Sequence, residues 1–202
     1  MKNRKVLFFL ACFFSSLFAY DAEDLAYLKK EHNCVGCDLK DANLSGMSLQ
    51  GADLSESDLS GANLTNTNLE KANCYSVNFD GAKLINTVAR LANFKKANLS
   101  HTSAKGFVLK GAIVSNAKIV DANFSEARLW HLDLTKTTIK NTNFKDAGLA
   151  LSKLDGLDLR DSNLENAIVW KSSFKGTILS KKACQDVKRQ GALTDSKTKC
   201  IN

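Results

Sequence analysis

Proline is absent from all 202 residues, and histidine occurs three times, as His32, His101 and His131. A chain without proline and rich in Asn, Ser, Leu and Ala departs from an ordinary mixed globular domain and directs the reading to internal repeats. It also lacks a glycine-rich phosphate loop and a Cys/His run with zinc-site spacing, so neither chemistry has a motif to rest on. Charge of one sign is lacking too. Lys and Arg number 28 against 21 Asp and Glu, for a formal net charge of +7. With both signs mixed along the polar positions, no nucleic-acid footprint follows.

Long apolar runs are confined to the N-terminus, "MKNRKVLFFLACFFSSLFAYDAED". Lys2, Arg4 and Lys5 precede an apolar stretch from Val6 to Phe18, and small Ala19 follows before the acidic "DAED". The stretch is short for a membrane span, so residues 1–19 read as a cleaved secretory signal, although Leu17 stands where a smaller residue is usual. A lipid anchor through Cys12 in "FLAC" is a poorer fit because of Phe9. The expectation is an exported protein, periplasmic or secreted, without a transmembrane segment after cleavage. Loss of the three cations leaves a net charge of about +4.

"GADLSESDLSGANLTNTNLEKAN", residues 51–73, repeats a five-residue phrase: small residue, Asp or Asn, Leu, then two polar residues. Stepping by five from Leu39 to Leu179 visits only apolar residues, mostly Leu, with Phe79, Phe94, Phe124, Phe144 and Phe174 among them. The residue two before each centre is small or β-branched, except at Met47, Phe107, Leu132 and Leu157. Five fits neither a helix nor a flat strand. It does fit one side of a square coil, with the centre and the small residue inward and Asp or Asn bonding nearby backbone. About seven coils at ~4.8 Å give a rod roughly 34 Å long. Ala89 and Ala104 each follow a Phe centre by ten residues, as expected if centres ten apart face each other and keep the core filled.

"ANLSG", "ADLSE", "ANLTN" and "ANFSE" resemble the pentapeptide-repeat family over residues 37 to about 180. The resemblance implies an all-β solenoid, a right-handed quadrilateral β-helix. The stretch "KGFVLKGAIVSNAKIV" loses the Asn but keeps the spacing. Both ends of such a rod need covering. Residues 20–36 contain "DAEDLAYLKKEHN", an amphipathic helix with Leu25 and Leu28 on one side, and "SKKACQDVKRQG", residues 180–191, reads as a second helix ended by Gly191 that leads the cap and tail of residues 181–202. Both are read as caps on the 37–180 solenoid.

After signal cleavage the cysteines are Cys34, Cys37, Cys74, Cys184 and Cys200. Cys34 and Cys37 fall on inward positions and form a disulfide candidate or two packed thiols; with His32 they could offer metal ligands, a weaker reading. Asp38 follows Cys37 where a c-type haem site needs His. Cys184 with Cys200 is a second disulfide candidate, and Cys74 reads as a small core hydrophobe. No metal or cofactor is expected. His101 and His131 fall on different sides, and the repeat itself demands the many Ser and Asp, so no catalytic set emerges and no enzyme is predicted.

Positions twenty apart share a side, which sorts the outward residues into four columns. Three are polar with scattered apolar residues such as Ile85, Ile113, Tyr75 and Val120. The column centred on Leu49, Leu69, Ala89, Leu109, Leu129, Leu149 and Val169 differs. Before its centres stand Val88, Val108 and Ile168; just after them stand Trp130 and Trp170; at the next place stand Leu91 and Leu151. Arg90, Lys110, Arg128, His131 and Lys171 surround them. An apolar strip rimmed by cations has the composition of a binding surface. Three readings remain open: an unknown protein partner, a side-by-side dimer, or coverage by the C-terminal tail. A glycan- or ligand-binding module stacking on the tryptophans is a further alternative. Some family members resemble DNA and thereby occupy type II topoisomerases, but export and positive charge disfavour that role here.

Overall fold

The computed structural model describes residues 20–201, and the segment read as an export signal, with Cys12, lies outside the described residues. From Cys34 onward one local unit recurs. The carbonyl of most centres accepts the N–H three residues on, as from Ala42 to Leu39 (3.0 Å) and from Ala62 to Leu59 (3.1 Å), while Cys37, Leu132 and Thr142 donate to a Ser hydroxyl of the next coil. The third residue of that turn is left-handed, with φ of 57° at Asp41, 62° at Glu56 and 60° at Asn66. A turn with positive φ at its third residue is the type II form, which favours Gly or Asn there. Among the described turns from 41 to 176, those at Lys136 and Asp161 lack it.

Four units close a lap. Parallel bridges join most residues in the Asn/Asp place to the one twenty later, as in Asp38 with Asp58, Asn78 with Asn98 and Asn143 with Asn163. Where pairing extends to three residues it forms β1 (Lys118–Val120) beside β2 (Thr138–Lys140). The backbone bonds run both ways: Leu59 N–H donates to Asn78 O (2.7 Å), and Asn78 N–H donates back to Ser57 O (3.0 Å). This leaves Asp and Asn side chains free to act in two directions. Asp58 Oδ1 accepts the Ser60 N–H within its own turn (2.9 Å) and Asn78 Nδ2 from the next coil (3.0 Å). Burial pushes the Asp58 carboxyl up, yet the bonds from Ser60 and Asn78 and the nearby Lys40 charge together hold it below the usual carboxylate range.

The interior is a column of centres with the small residues at its corners. Buried hydroxyls there bond across coils, as when Thr67 Oγ1 donates to Leu44 O (2.8 Å) and Ser172 Oγ to Leu149 O (2.7 Å), or within their own turn, as Thr102 Oγ1 does to Leu99 O (2.9 Å). Phe79, Phe94, Phe107, Phe124 and Phe144 stack in series, with centroids 5.6, 5.9, 6.1 and 6.0 Å apart. Phe107 occupies a corner where a small residue is expected, and three residues earlier Ala104 occupies a centre where a large one is expected. The two depart in opposite senses, which conserves core volume. Cys74 is fully buried at its centre; burial, then the Asp53 charge, pushes its thiol far up, so it packs as an unreactive apolar group.

Both ends are closed. α1 (Ala22–Glu31) is capped by Asp21, whose carboxylate accepts from the N–H groups of Glu23 and Asp24, and it buries Leu25 and Leu28. Asp24 ties it to the first coil by accepting the Asp38 N–H (2.9 Å). At the other end β3 (Ile178–Ser180) leads into α2 (Lys181–Arg189), which buries Ala183, Cys184 and Val187. The chain then returns as β4 (Lys199–Ile201), parallel to β3. Gln190 completes the exposed edge by accepting the Val169 N–H (3.1 Å) and donating to Ala167 O (2.9 Å). No helix among the described residues is long and apolar enough to cross a membrane.

Candidate functional site

The twenty-residue lap places Trp130 and Trp170 on one wall, two coils apart, hence roughly 9–10 Å along the rod axis. Bridges Asn68–Val88, Val88–Val108, Val108–Arg128, Arg128–Gly148 and Gly148–Ile168 mark that wall. Leu91, Ile168 and Trp170 keep 58%, 54% and 52% of their surface exposed, and Trp130 and Leu151 are exposed as well. The C-terminal tail does not cover them. It stacks on two other walls instead, with Leu193 bridged to Ser173 and β4 on β3.

Not every predicted member reaches solvent. Val108 is buried, at 7% exposure, as it lies in the ladder between Val88 and Arg128. It supports the wall and presents little surface, so its inclusion among contact residues is corrected. Val88 is half-buried. Arg90, Lys110, Arg128, His131 and Lys171 are exposed. Lys171 Nζ sits 4.3 Å over the Trp170 ring, and Arg90 is 4.0 Å from Glu70. A groove of about 250 Å³ is lined by Glu70, Arg90, Leu91, Lys110, Gly111 and His131.

The wall breaks the rules that build the other walls. After Asn68, whose Oδ1 accepts the Glu70 N–H (2.9 Å), neither Asn nor Asp recurs before a centre on this side. Val88, Val108, Arg128, Gly148 and Ile168 stand there instead. The longest corner bonds of the rod are also here, 3.3 Å at Gly111 and His131, against 2.8 Å at Gly51 and 3.1 Å at Lys96 and Asp121. Leu91 and Leu151 are also left-handed, with φ of 59° and 62°. That conformation costs an L-residue other than Gly roughly 1–2 kcal/mol. Exposed leucines in a strained conformation contribute nothing to the solenoid that Asn or Gly would not supply better.

Gly148 escaped the sequence reading. The Trp130 indole lies against it: a methyl group at Gly148 would overlap the indole nitrogen and approach its Cε2 and Cδ1 to 3.0 and 3.1 Å. Leu91 leans over Gly111 in the same manner, its Cδ2 3.0 Å from where a Cβ would stand. The signal was a Gly in the Asp/Asn slot of "DAGLA". Gly148 is not left-handed, so Gly148→Ala is expected to leave the backbone intact and lift the indole. Trp130 emission should shift to the red with the far-ultraviolet circular dichroism unchanged.

The sulfurs of Cys34 and Cys37 lie at bonding distance, with Cα atoms 5.5 Å apart, as do those of Cys184 and Cys200, with Cα atoms 5.6 Å apart. His32 is not brought to the first pair. Among the described residues, the side chain that joins Cys34 and Cys37 within ligand reach is Asp24.

The rod and its single apolar wall define a four-sided repeat solenoid with one specialised face. The chain belongs to the pentapeptide-repeat family: 8 copies of that family's repeat match residues 33–70, 72–111, 117–156 and 142–180. The family's architecture is the right-handed quadrilateral β-helix. Among solved structures, a trypsin-treated form of QnrB1, a plasmid-mediated fluoroquinolone resistance protein, is 18% identical over 81% of this chain and 87% of its own, with a TM-score of 0.45. HetL, involved in heterocyst differentiation regulation in the cyanobacterium Nostoc, is 19% identical over 90% and 91%, at 0.35. A thylakoid-lumen protein of Arabidopsis thaliana is 15% identical over 75% and 81%, at 0.24. No curated protein sequence matches the chain.

Proposed function

We propose that the protein is a non-catalytic, exported scaffold that engages another protein, or a second copy of itself, through the tryptophan wall. One observation carries this reading. On that wall every Asn/Asp place after Asn68 is taken by another residue and exposed Trp, Ile and left-handed Leu gather together, whereas on the other walls exposed apolar departures such as Ile113 stand singly. Trp and Arg are the residue types that dominate contact energetics at protein interfaces. Export is supported by the basic-then-apolar N-terminus and by two cysteine pairs placed to close as disulfides, which persist in oxidising compartments.

The test is Trp130→Ala combined with Trp170→Ala. Both side chains lie outside the core, so the melting temperature is expected to stay within about 2 °C of wild type, as for surface substitutions in general. Association measured by pull-down from envelope extracts, or by sedimentation for self-association, is expected to disappear. A double mutant that still associates as wild type does would remove the proposal.

A further inference from the structure

Resting on the reading of the tryptophan wall as a docking face, we infer that its occupant is an acidic, amphipathic segment of a different protein. Charge decides between the candidates. The wall presents Lys71, Arg90, Lys110, Arg128 and Lys171 against one acid, Glu70, which is already beside Arg90 at 4.0 Å. Two copies meeting through this wall would bring the cations Arg90, Lys110, Arg128 and Lys171 of one against the same set of the other, whatever the two-fold axis. Like charges desolvated across an interface oppose association. The opposite wall differs: Asp38, Asp58, Asp80, Asp121, Asp158 and Asp161 stand there, and acids outnumber bases. A front-to-back stack of copies would match those signs, but it leaves Trp130 and Trp170 facing Asn, Asp and Lys. It would also be a heterologous contact that does not close.

The wall is also graded along the rod. Arg90 and Lys110 line the groove with Leu91 and His131, whereas Trp130, Ala150, Leu151, Ile168 and Trp170 follow towards α2, with Arg128 between the two halves and Lys171 over Trp170. From Val88 to Lys171 it extends about 20 Å, one pentapeptide wide, the footprint of a single helix or strand. A segment with carboxylates near one end and large apolar side chains near the other meets both halves. It would also approach quickly, because opposite net charges steer encounter.

The experiment places a photo-crosslinking p-benzoylphenylalanine at Ala150 in the full chain, with the same group at Ser60 on the opposite wall as control. Irradiation in extracts of the source cells is followed by sequencing of the joined peptides. The expected adducts at 150, absent at 60, are segments of another protein in which Asp and Glu exceed Lys and Arg and at least one large apolar side chain is present. Arg90→Glu with Lys110→Glu should cut their yield at least about tenfold at physiological salt, and the circular dichroism should not change. Adducts to this chain itself, to neutral or basic segments, to lipid or to nucleic acid overturn the acidic partner while leaving the wall a docking face. No adduct at 150, or the same adducts at 60, overturns the docking face as well.

Discussion

Phe124→Ala is expected to destabilise the protein by about 3–5 kcal/mol, the usual cost of emptying a buried aromatic site. In a domain of this size that lowers the melting temperature by roughly 10–15 °C. Phe124 is fully buried, with rings on both sides, Phe107 at 6.1 Å and Phe144 at 6.0 Å. Neither neighbour can close the gap, because each is pinned by a backbone that bonds coils above and below. Collapse would require the ladder to shorten, and its spacing is fixed by hydrogen bonds. Phe174→Ala offers the comparison. It is equally buried, but it lies in the last full lap, where the covering element is the tail through Leu193. Stability in stacked repeats is a sum of unit and neighbour terms. A terminal cavity therefore frays one end, whereas a central one breaks the column into two shorter halves. Thermal denaturation followed by circular dichroism separates the two: one transition with a small shift for Phe174→Ala, a large shift or a split transition for Phe124→Ala. Equal shifts would show that the aromatic series does not act as one column.

The legible part of this molecule was its register. A spacing of five that never slips from Leu39 to Leu179 identifies the inward centres, and the lap of twenty aligns Trp130 with Trp170 although forty residues separate them. What register does not contain is which way a side chain leans once it leaves the backbone. Val108 and Ile168 hold equivalent places, yet one is buried between ladder neighbours and the other exposed near the last coil. The seat of Trp130 on Gly148 is likewise a rotamer choice across coils. Nor does register extend into the caps. The residue drawn to Cys34 and Cys37 is Asp24, from one turn into α1, not His32 next to them in sequence, since α1 folds back over the first coil and ends with His32 turned left-handed. The tail had two plausible resting places in sequence terms. Its hydrogen bonds decide: Leu193 and β4 continue the ladders of Ser173 and β3, a better use of an open edge than lying across a finished wall.

Replacing Cys184 with Ala and Cys200 with Ser is expected to cost about 3 kcal/mol. A closed loop of this length, with a sequence separation of 16, takes that much entropy from the unfolded chain. The matching change at Cys34 and Cys37, separated by 3, closes a much smaller loop and should cost about 2 kcal/mol or less by the same scaling. The larger effect is also the more local one. Cys184 is on the buried face of α2, and Cys200 lies in β4 beside β3. Without the link, β4 and α2 can leave together, exposing the edge at Ala167, Val169 and Phe174 that Gln190 and Leu193 now satisfy. Hydrogen exchange should therefore quicken at Val169 and Phe174, whose N–H groups donate to Gln190 and Leu193, while Leu59 and Leu64 stay protected. The same fraying reaches the candidate site, because Ile168 and Trp170 flank the residue that Gln190 bonds. Reductant or the double substitution is thus expected to weaken partner binding without touching any contact residue, whereas opening the Cys34–Cys37 pair, at the far end of the rod, leaves it intact. Equal loss of binding from both pairs would mean that the wall is not held from its α2 end.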